Sequence, residues 1–300
     1  MSPTEPNDFN VSVIILLGRD ISGIDTYLTS LRSAIDESVG ECEFIVVVNN
    51  GEARTGSDLS GLVDEFSIKV VLLDRKASVS DCLRAGFEES RGETILVCGS
   101  YQQLDADSYE KLFRRLEGNI DIVVPYRTGR VDSKLNQIQS VLFNKLTNFI
   151  ASTTLKDISC NVKLYKREVL EEISVYGNMF RYLPIIASTY GFRMIEVPCA
   201  HLHEEGPRGI YNLKTYVARL VDLFTLYFNI HFHKKPLRFF SALGAILFVI
   251  GLLVVVGVTL QRIFLNLPLG DRPILIIAVL LMVAGAQAGG AGLLGEVIVF

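Results

Sequence analysis

The sequence lacks an excess of basic residues. Its 29 lysines and arginines are outnumbered by 33 aspartates and glutamates, so the formal net charge is −4 at pH 7. Proteins that bind nucleic acids draw much of their affinity from basic surfaces that neutralise phosphates. This charge balance therefore predicts no nucleic-acid partner.

Disulfide and zinc motifs are absent as well. The cysteines are odd in number, widely spaced and free of any Cys-x-x-Cys pair; they are Cys42, Cys82, Cys98, Cys160 and Cys199. A disulfide framework or a zinc site needs a denser and more regular spacing. We expect reduced cysteines in the protein core.

The first ten residues lack both the basic segment and the apolar run of a signal peptide. We expect residues 1–10 to be flexible and the bulk of the chain to be cytoplasmic. No internal repeat, low-complexity tract or flexible linker divides the sequence. The main boundary is therefore the change of composition near Lys234.

The hydrophobic content is high for a soluble domain: 49% of the residues are hydrophobic and the mean hydropathy is +0.35. Two runs without any charge, residues 239–261 and 273–295, each exceed the roughly 20 residues that a helix needs to cross a bilayer. Residues 236–300 are therefore predicted to form a two-helix transmembrane region, which makes this a cell-membrane protein.

Basic side chains crowd one side of the first run: His231, His233, Lys234, Lys235 and Arg238. Because positive flanks stay in the cytosol, we expect both termini to be cytoplasmic and residues 262–272 to lie outside. Gly285 and Gly289 form a Gly-x-x-x-Gly pair, which lets helix backbones approach closely. That contact joins the two spans or, alternatively, two copies in a homo-oligomer.

Short apolar, β-branched runs alternate with helical stretches over the first two hundred residues. Such runs are typical of strands buried on both faces of a parallel sheet, and they cover residues 12–17, 44–48, 68–73, 94–98 and 120–125. Residues 22–25 and 78–81 fit a helix-start signal. Residues 11–200 are predicted to form an α/β domain that binds ligands at the carboxyl ends of its strands.

The next segment, residues 201–235, is predicted to contain a juxtamembrane loop and an amphipathic helix. Over residues 211–228, six apolar side chains share one helical face: Leu213, Tyr216, Val217, Leu220, Val221 and Phe224. This pattern indicates a helix that lies on the membrane surface. A helix that packs back onto the α/β domain is the alternative.

Short motifs follow one another in a recognisable order: Ser12-Val13-Ile14-Ile15, Arg75, Leu83-Arg84-Ala85-Gly86-Phe87, Gly92-Glu93-Thr94, Lys166-Arg167-Glu168-Val169-Leu170, Gly191-Phe192-Arg193, Glu196-Val197-Pro198, Lys235-Pro236-Leu237-Arg238 and Gly292-Leu293-Leu294-Gly295-Glu296. In order and spacing the chain resembles the membrane-bound family-two glycosyltransferases of the dolichol-phosphate mannose synthase and bactoprenol glucosyltransferase group. The resemblance implies a GT-A-like, Rossmann-type nucleotide-sugar domain, an amphipathic interfacial helix and two C-terminal transmembrane helices.

The chemistry that this resemblance implies is an inverting displacement. A polyprenyl phosphate oxygen attacks the anomeric carbon of a nucleotide-sugar. Because the second pKa of a phosphate monoester is about 6, the acceptor is already largely deprotonated at neutral pH, and no general base is required. The charge of two phosphate groups must be neutralised instead, by a divalent cation on the donor and by arginine or lysine on the acceptor.

The resemblance places the donor site on loops that follow the strands. Its donor-binding positions are occupied here by Asp20, Asn49, Asn50, Arg75 and Gln103. Where the family has two acidic residues after the second strand, this chain has Asn49 and Asn50.

The family's metal motif, Asp-x-Asp-Leu-Gln, is degenerate. Residues 99–103 read Gly-Ser-Tyr-Gln-Gln, so the carboxylates that hold Mg²⁺ or Mn²⁺ are missing and we expect no metal ion. Asp105 and Asp107 follow, but this register places them ahead of a helix over residues 108–116, where acidic residues favour the positive end of the dipole. A shifted loop in which Asp105 and Asp107 bind Mg²⁺ or Mn²⁺ is the alternative.

The acceptor and catalytic positions also come from the resemblance. Arg127, Asp157 and Lys163 match catalytic positions, with Lys163 in place of the usual arginine. The acceptor-binding positions are Arg127, Ser140, Asn144, Lys163, Arg208 and Tyr211. A surface arginine and an ordinary polar helix face are the alternatives for Arg127 and for Ser140 with Asn144.

Three functions compete on this basis. The favoured one is transfer of a sugar from a nucleotide-sugar to a polyprenyl-phosphate-type lipid, with a remodelled, metal-independent donor site in which Arg75, Lys134 or Arg208 replaces the charge of the ion. The alternative is a catalytically inactive pseudo-glycosyltransferase that acts as a membrane scaffold or regulatory partner. The third is a lipid-phosphate-binding protein that uses only the acceptor groove.

Overall fold

The computed structural model describes residues 10–17, 24–39, 42–49, 68–73, 77–129, 134–173, 176–202, 213–232, 236–265 and 273–299. The chain divides into two compact units, Met1–Leu226 and Tyr227–Phe300. This division falls about ten residues before the boundary that the composition predicts.

The first unit is built on one seven-stranded sheet. Its strands are β1 (Val11–Leu17), β2 (Cys42–Asn49), β3 (Lys69–Leu73), β4 (Thr94–Cys98), β5 (Ile122–Thr128), β6 (Lys163–Lys166) and β7 (Met194–Ala200). They are ordered β3-β2-β1-β4-β6-β5-β7. The pairs among β1 to β4 are parallel, as predicted, and so is β5 with β7, whereas β6 runs antiparallel between β4 and β5.

The helices of this unit are α1 (Ile24–Val39), α2 (Val79–Glu88), α3 (Ala106–Arg115), α4 (Lys134–Ala151), α5 (Arg167–Glu172) and α6 (Leu183–Thr189), with a 3-10 turn at Met179–Tyr182. Helix α7 (Leu213–Phe232) begins in this unit and continues past its last residue, Leu226. The predicted start signal of α2 is confirmed, because Ser78 and Asp81 bond reciprocally to each other's backbone N–H groups. Ser22, of the other signal, lies outside the described residues.

Close packing explains two glycines of the sequence motifs. A Cβ atom on Gly86 would come within 2.6 Å of the Ile14 side chain, and one on Gly92 within 2.6 Å of the Ser12 backbone nitrogen. Helix α2 therefore lies directly on β1 at Gly86, and the entry to β4 touches β1 at Gly92. Gly86 thus sets the distance between α2 and the sheet, and Gly92 sets the distance between the starts of β1 and β4.

Strand β5 is longer than predicted, and this corrects the expected position of Arg127. The sequence suggested a strand over residues 120–125 with Arg127 in the loop that follows, but the strand runs to Thr128 and pairs Arg127 with Cys199 of β7. Beyond Val123 the strand has no β6 partner, which is the kind of position where Pro125 is tolerated. Arg127 is consequently part of the sheet.

Helix α7 exposes its predicted apolar stripe: Val217, Leu220, Val221 and Phe224 are all more than half exposed. Its other side buries Leu223 and Leu226. Helix α4 likewise exposes Ile138, Leu142, Leu146 and Phe149 along one face. Exposed apolar stripes of this kind favour a lipid surface over the alternative, in which the stripe of α7 is buried on the sheet.

The second unit contains two long apolar helices, α8 (Pro236–Leu265) and α9 (Pro273–Val299). The segments Leu237–Phe264 and Pro273–Val297 have mean hydropathies of 2.9 and 2.2, and only 17% and 11% of their most apolar windows are buried. Helices that are both apolar and exposed are suited to lipid rather than to a protein core. They agree with the predicted spans.

Glycines bring α8 and α9 into backbone contact. A Cβ atom on Gly244 would come within 2.5 Å of the Gly285 carbonyl, and one on Gly251 within 2.6 Å of the Ala278 carbonyl. Gly285 thus makes a contact between the two spans, which is the first of the two alternatives given for the Gly-x-x-x-Gly pair. At one end of the pair, Glu296 accepts a hydrogen bond from the Leu237 N–H at 3.3 Å and so caps the first turn of α8.

Candidate functional site

A cavity of about 210 Å³ opens at the carboxyl edge of the sheet. It lies where β1, β2 and β4 end, which is where sheets of this type bind ligands. The residues that line it include Leu17, Asn49, Gly99, Ser100, Asn161 and Phe180. All of these walls are neutral, so the cavity itself offers neither a carboxylate nor a cation among the residues that line it.

Asn49, a predicted donor-binding residue, lies at this cavity, but both ends of its amide are engaged. Its Nδ2 donates to the Ala77 carbonyl at 2.8 Å, and its Oδ1 accepts from the Ala77 N–H at 3.0 Å. Asn49 thereby holds the segment that leads into α2. Its role toward a donor stays a prediction; Asp20, Asn50 and Arg75 lie outside the described residues.

The segment after β4 replaces the expected metal ligands with groups that do not fit a divalent cation. Gly99 has no side chain, Ser100 offers a hydroxyl, and the Tyr101 hydroxyl accepts a hydrogen bond from Gln103 at 2.9 Å. Mg²⁺ and Mn²⁺ prefer carboxylate oxygens. In the part of the chain that the structure describes, no three His, Cys, Asp or Glu side chains come close enough to hold a metal.

Gln103, the residue that matches the family motif, is buried and ties two loops together. Its Oε1 accepts from the Asn161 backbone N–H at 2.8 Å and lies 3.6 Å from the Cys160 sulfur. Its Nε2 donates to Tyr101. The carboxamide therefore positions the loop before β6 against the end of β4, and the donor contact predicted for it is not needed to explain its burial.

Asp105 and Asp107 stand at the start of α3. The helix begins at Ala106, two residues earlier than predicted, with Asp105 as its N-cap residue and Asp107 in its first turn. The Ser108 hydroxyl donates to the Asp105 carboxylate. This arrangement supports the helix-start interpretation, because carboxylates interact favourably with the positive end of a helix dipole.

Arg127 and Asp157 form a buried ion pair. Arg127 Nε lies 2.7 Å from Asp157 Oδ2, and Nη2 lies 3.2 Å from Oδ1. The side chains are only 2% and 5% exposed. Asp157 also accepts from the backbone N–H groups of Arg127 and Ser159. This geometry connects β5 to the loop before β6 and directs the guanidinium at a carboxylate; contact with an acceptor phosphate stays a prediction.

Lys163 is buried at the start of β6. Its Nζ donates to the Cys160 carbonyl at 3.1 Å and lies 4.6 Å from the centre of the Phe180 ring. Burial, helped by the nearby charge of Arg181 and opposed by Cys160 and Asp157, lowers the pKa of this ammonium group to about 8. Phe180 also lines the cavity, so the ammonium group contacts one of the cavity's lining residues.

Of the other predicted acceptor residues, Asn144 is buried and Ser140 is half-buried on α4. The Asn144 Nδ2 donates to the Lys156 carbonyl at 2.8 Å, while its Oδ1 has no hydrogen-bond partner within the described residues. Arg208 and Tyr211 lie outside those residues.

Two arginines that the sequence analysis missed flank the same helix. The guanidinium carbons of Arg181 and Arg219 lie 5.9 and 6.0 Å from the centre of the Phe143 ring on α4. Arg181 is adjacent in sequence to the cavity residue Phe180 and electrostatically affects Lys163. Asp222 on α7 balances part of this charge; burial raises the pKa of its carboxyl, and Arg181 opposes that rise. No local pattern links residues 143, 181 and 219.

Comparison with known proteins identifies the family. Residues 12–174, more than half of the chain, match the family described as glycosyl transferase family 2. The chain belongs to that family. With its two long apolar helices, this glycosyltransferase-family chain is a membrane protein.

Relatives and solved structures agree with this assignment. The chain is similar to the undecaprenyl-phosphate 4-deoxy-4-formamido-L-arabinose transferases of Photorhabdus laumondii, at 25% identity, and Enterobacter sp., at 26%. Each comparison covers 96% of this chain and 88% of the relative. A structure of glucosyl-3-phosphoglycerate synthase from Mycobacterium tuberculosis with Mn²⁺ and UDP-glucose matches with a TM-score of 0.55 at 13% identity, over 74% of this chain and 79% of that one. The GT-A-like fold prediction is thereby confirmed.

The Arg127–Asp157 pair generates a stability prediction. Replacing Arg127 by alanine leaves a buried carboxylate without its partner, which should destabilise the protein by about 3–5 kcal/mol. The melting temperature of the detergent-purified protein should fall by about 6–20 °C. Arg84→Ala is the matched control, because it removes an exposed ion pair with Glu88. An Arg127→Ala protein that melts with the wild type would contradict this role.

Proposed function

We propose that this protein transfers a sugar from a nucleotide-sugar to a polyprenyl-phosphate-type lipid by an inverting displacement. The observation that carries the proposal is the cavity at the carboxyl edge of β1, β2 and β4, in a family-two chain that also has two helices suited to a bilayer. The relatives' names, which specify undecaprenyl phosphate, support a lipid phosphate as acceptor.

Three basic residues, one of them in contact with the cavity residue Phe180, support the handling of phosphates. The Phe180 ring lies near Lys163, and the Phe143 ring lies near Arg181 and Arg219. Because Arg127 and Asp157 pair with each other, they add little net charge to this group. We assign to Lys163, Arg181 and Arg219 the positive field that attracts the acceptor phosphate and stabilises the charge on the leaving diphosphate. A phosphate that is already ionised needs no general base.

The half-buried Arg219 allows a test of the acceptor assignment. Removing a charge-assisted hydrogen bond to phosphate costs about 1.5–3 kcal/mol. Arg219→Ala should therefore lower kcat/KM for the polyprenyl phosphate roughly 10- to 150-fold, with little effect on the KM of the nucleotide-sugar. Initial rates in lipid nanodiscs, with each substrate varied in turn, measure both constants. Arg219→Lys should retain part of the effect, because it keeps the charge but loses the planar guanidinium.

Two results would oppose this assignment. One is wild-type lipid kinetics in Arg219→Ala. The other is an equal loss in Arg84→Ala, whose guanidinium is 71% exposed on α2 and pairs with Glu88.

The donor site is proposed to work without a divalent cation, since the residues after β4 lack the carboxylates that would hold one. Donor binding and turnover should be the same with EDTA, Mg²⁺ or Mn²⁺. Replacing Asp105 and Asp107 by asparagine should cost about 0.3–1 kcal/mol of helix stability for each charge removed. The contrary outcome is a loss of activity on adding chelator and also in the double asparagine variant, while that variant stays folded. Asp105 and Asp107 would then be the metal ligands.

The finer topology is also a proposal. The basic residues before α8 favour a cytoplasmic location for the sheet domain and both termini. A cysteine introduced in residues 266–270 should then react with a membrane-impermeant maleimide added outside intact cells, while the parent protein gives the background of its native cysteines. Labelling only after the cells are opened would reverse the topology.

A catalytically inactive scaffold or regulatory partner is the second candidate function, and the absence of carboxylates at residues 99–101 is the observation that favours it. Calorimetric titration with nucleotide-sugars separates the two, because an enzyme must bind its donor and a scaffold need not.

A further inference from the structure

The space beside Gly99 is occupied by Asn161, a residue of the loop that precedes β6. Strands β4 and β6 pair antiparallel with Val97 opposite Lys163, so the same register carried two residues further places Gly99 opposite Asn161. A Cβ atom on Gly99 would lie 3.2 Å from both Cβ and Nδ2 of Asn161. Directly opposed Cβ atoms in antiparallel strands are ordinarily about 4.5–5.5 Å apart. Asn161 therefore lies so close to Gly99 that a Cβ atom at position 99 would require Asn161 to shift by a few tenths of an ångström.

The backbone of Asn161 is held in this place. Its N–H donates to Gln103 Oε1 at 2.8 Å, and Gln103, which is 1% exposed, is itself bonded to the Tyr101 hydroxyl. A bulkier residue at position 99 would press on Asn161 against the restraint of this buried contact. Gly99 and Asn161 are thus sterically coupled, and we refer to them as the 99/161 pair.

The Asn161 side chain is available to a ligand. Gly99, Ser100 and Asn161 all line the cavity. Within the described residues, the Asn161 carboxamide makes no hydrogen bond; only its backbone N–H is bonded. A carboxamide carries two N–H donors and an acceptor oxygen but no charge. It suits a phosphate oxygen, which it can contact directly, and it is a poor substitute for a carboxylate as a cation ligand.

We propose that Asn161 is a donor-site residue whose carboxamide donates to the diphosphate of the nucleotide-sugar, and that the 99/161 pair excludes the carboxylate that a divalent cation would need. This assignment rests on the proposed function for the identity of the ligand. The steric coupling of the 99/161 pair rests on the structure alone. The inference thus names the side chain that fills the position left by the missing metal ligand.

Ligand binding tests the contact with the diphosphate. UDP, GDP, CDP and dTDP are titrated in turn against the full-length protein in nanodiscs, with EDTA present, by calorimetry. Asn161→Ala should weaken binding of the preferred nucleotide roughly 2- to 10-fold, the range for one net hydrogen bond. Asn178→Ala, an exposed asparagine in the segment before α6, should bind as the wild type does. Unchanged affinity in Asn161→Ala would overturn the contact.

A double-mutant cycle tests the 99/161 pair without any ligand. Gly99→Asp alone should lower the melting temperature more than Gly99→Asp combined with Asn161→Gly, since the second change restores space. Additive changes in melting temperature would overturn the coupling.

The variant Gly99→Asp/Tyr101→Asp/Asn161→Gly should bind Mn²⁺ in the presence of UDP, detected by electron paramagnetic resonance. The version that keeps Asn161 should bind it more weakly. Equal Mn²⁺ binding by these two variants would overturn the exclusion of the carboxylate. If the wild type bound none of the four nucleotides, the proposed function and the diphosphate contact would both fail, whereas the melting temperatures would still decide the steric coupling.

Discussion

The antiparallel pairing of β6 with β4 is the constraint on which the rest of the candidate site depends. It inserts one short strand into an otherwise parallel sheet. The loop before β6 is thereby brought against the end of β4, where Gln103 accepts a hydrogen bond from the Asn161 N–H. The same loop lies against β5, where Asp157 forms an ion pair with Arg127. It also buries Lys163 behind Phe180. Three contacts between segments that are far apart in sequence thus derive their positions from one strand pairing.

Burial divides the charged residues of this region into two kinds. Arg127 and Asp157 satisfy each other, and together they hold β5 to the neighbouring loop. Lys163 has a carbonyl and an aromatic ring as neighbours, and within the described residues it makes no direct ion pair that would cancel its charge. Removing charges from water is expensive, and a buried cation without a direct counter-ion acts over a longer distance than a paired one. The neutral cavity lies in the electric field of Lys163, the buried cation without a direct counter-ion.

Much of the fold is predictable from sequence because its signals are local. The apolar runs of β1 to β4 are short and β-branched, the Ser78–Asp81 start signal fixes the beginning of α2, and the uncharged runs give both spans. The site is less predictable because it depends on contacts between distant segments. The predicted strand ends at residue 125, yet pairing with β7 carries the strand through Arg127. The approach of Arg181 and Arg219 to Phe143 has no sequence pattern at all.

The backbone contact between α8 and α9 has a consequence for the lipid. Where Gly244 meets Gly285 and Gly251 meets Ala278, even one added carbon atom would overlap the opposite carbonyl. An isoprenoid chain is several ångströms thick, so it has no passage between the two helices at these levels. The pair forms a closed hairpin rather than a slot or a channel. For the polyprenyl-phosphate acceptor proposed above, the tail would then lie in the surrounding bilayer, along the outer surface of the hairpin.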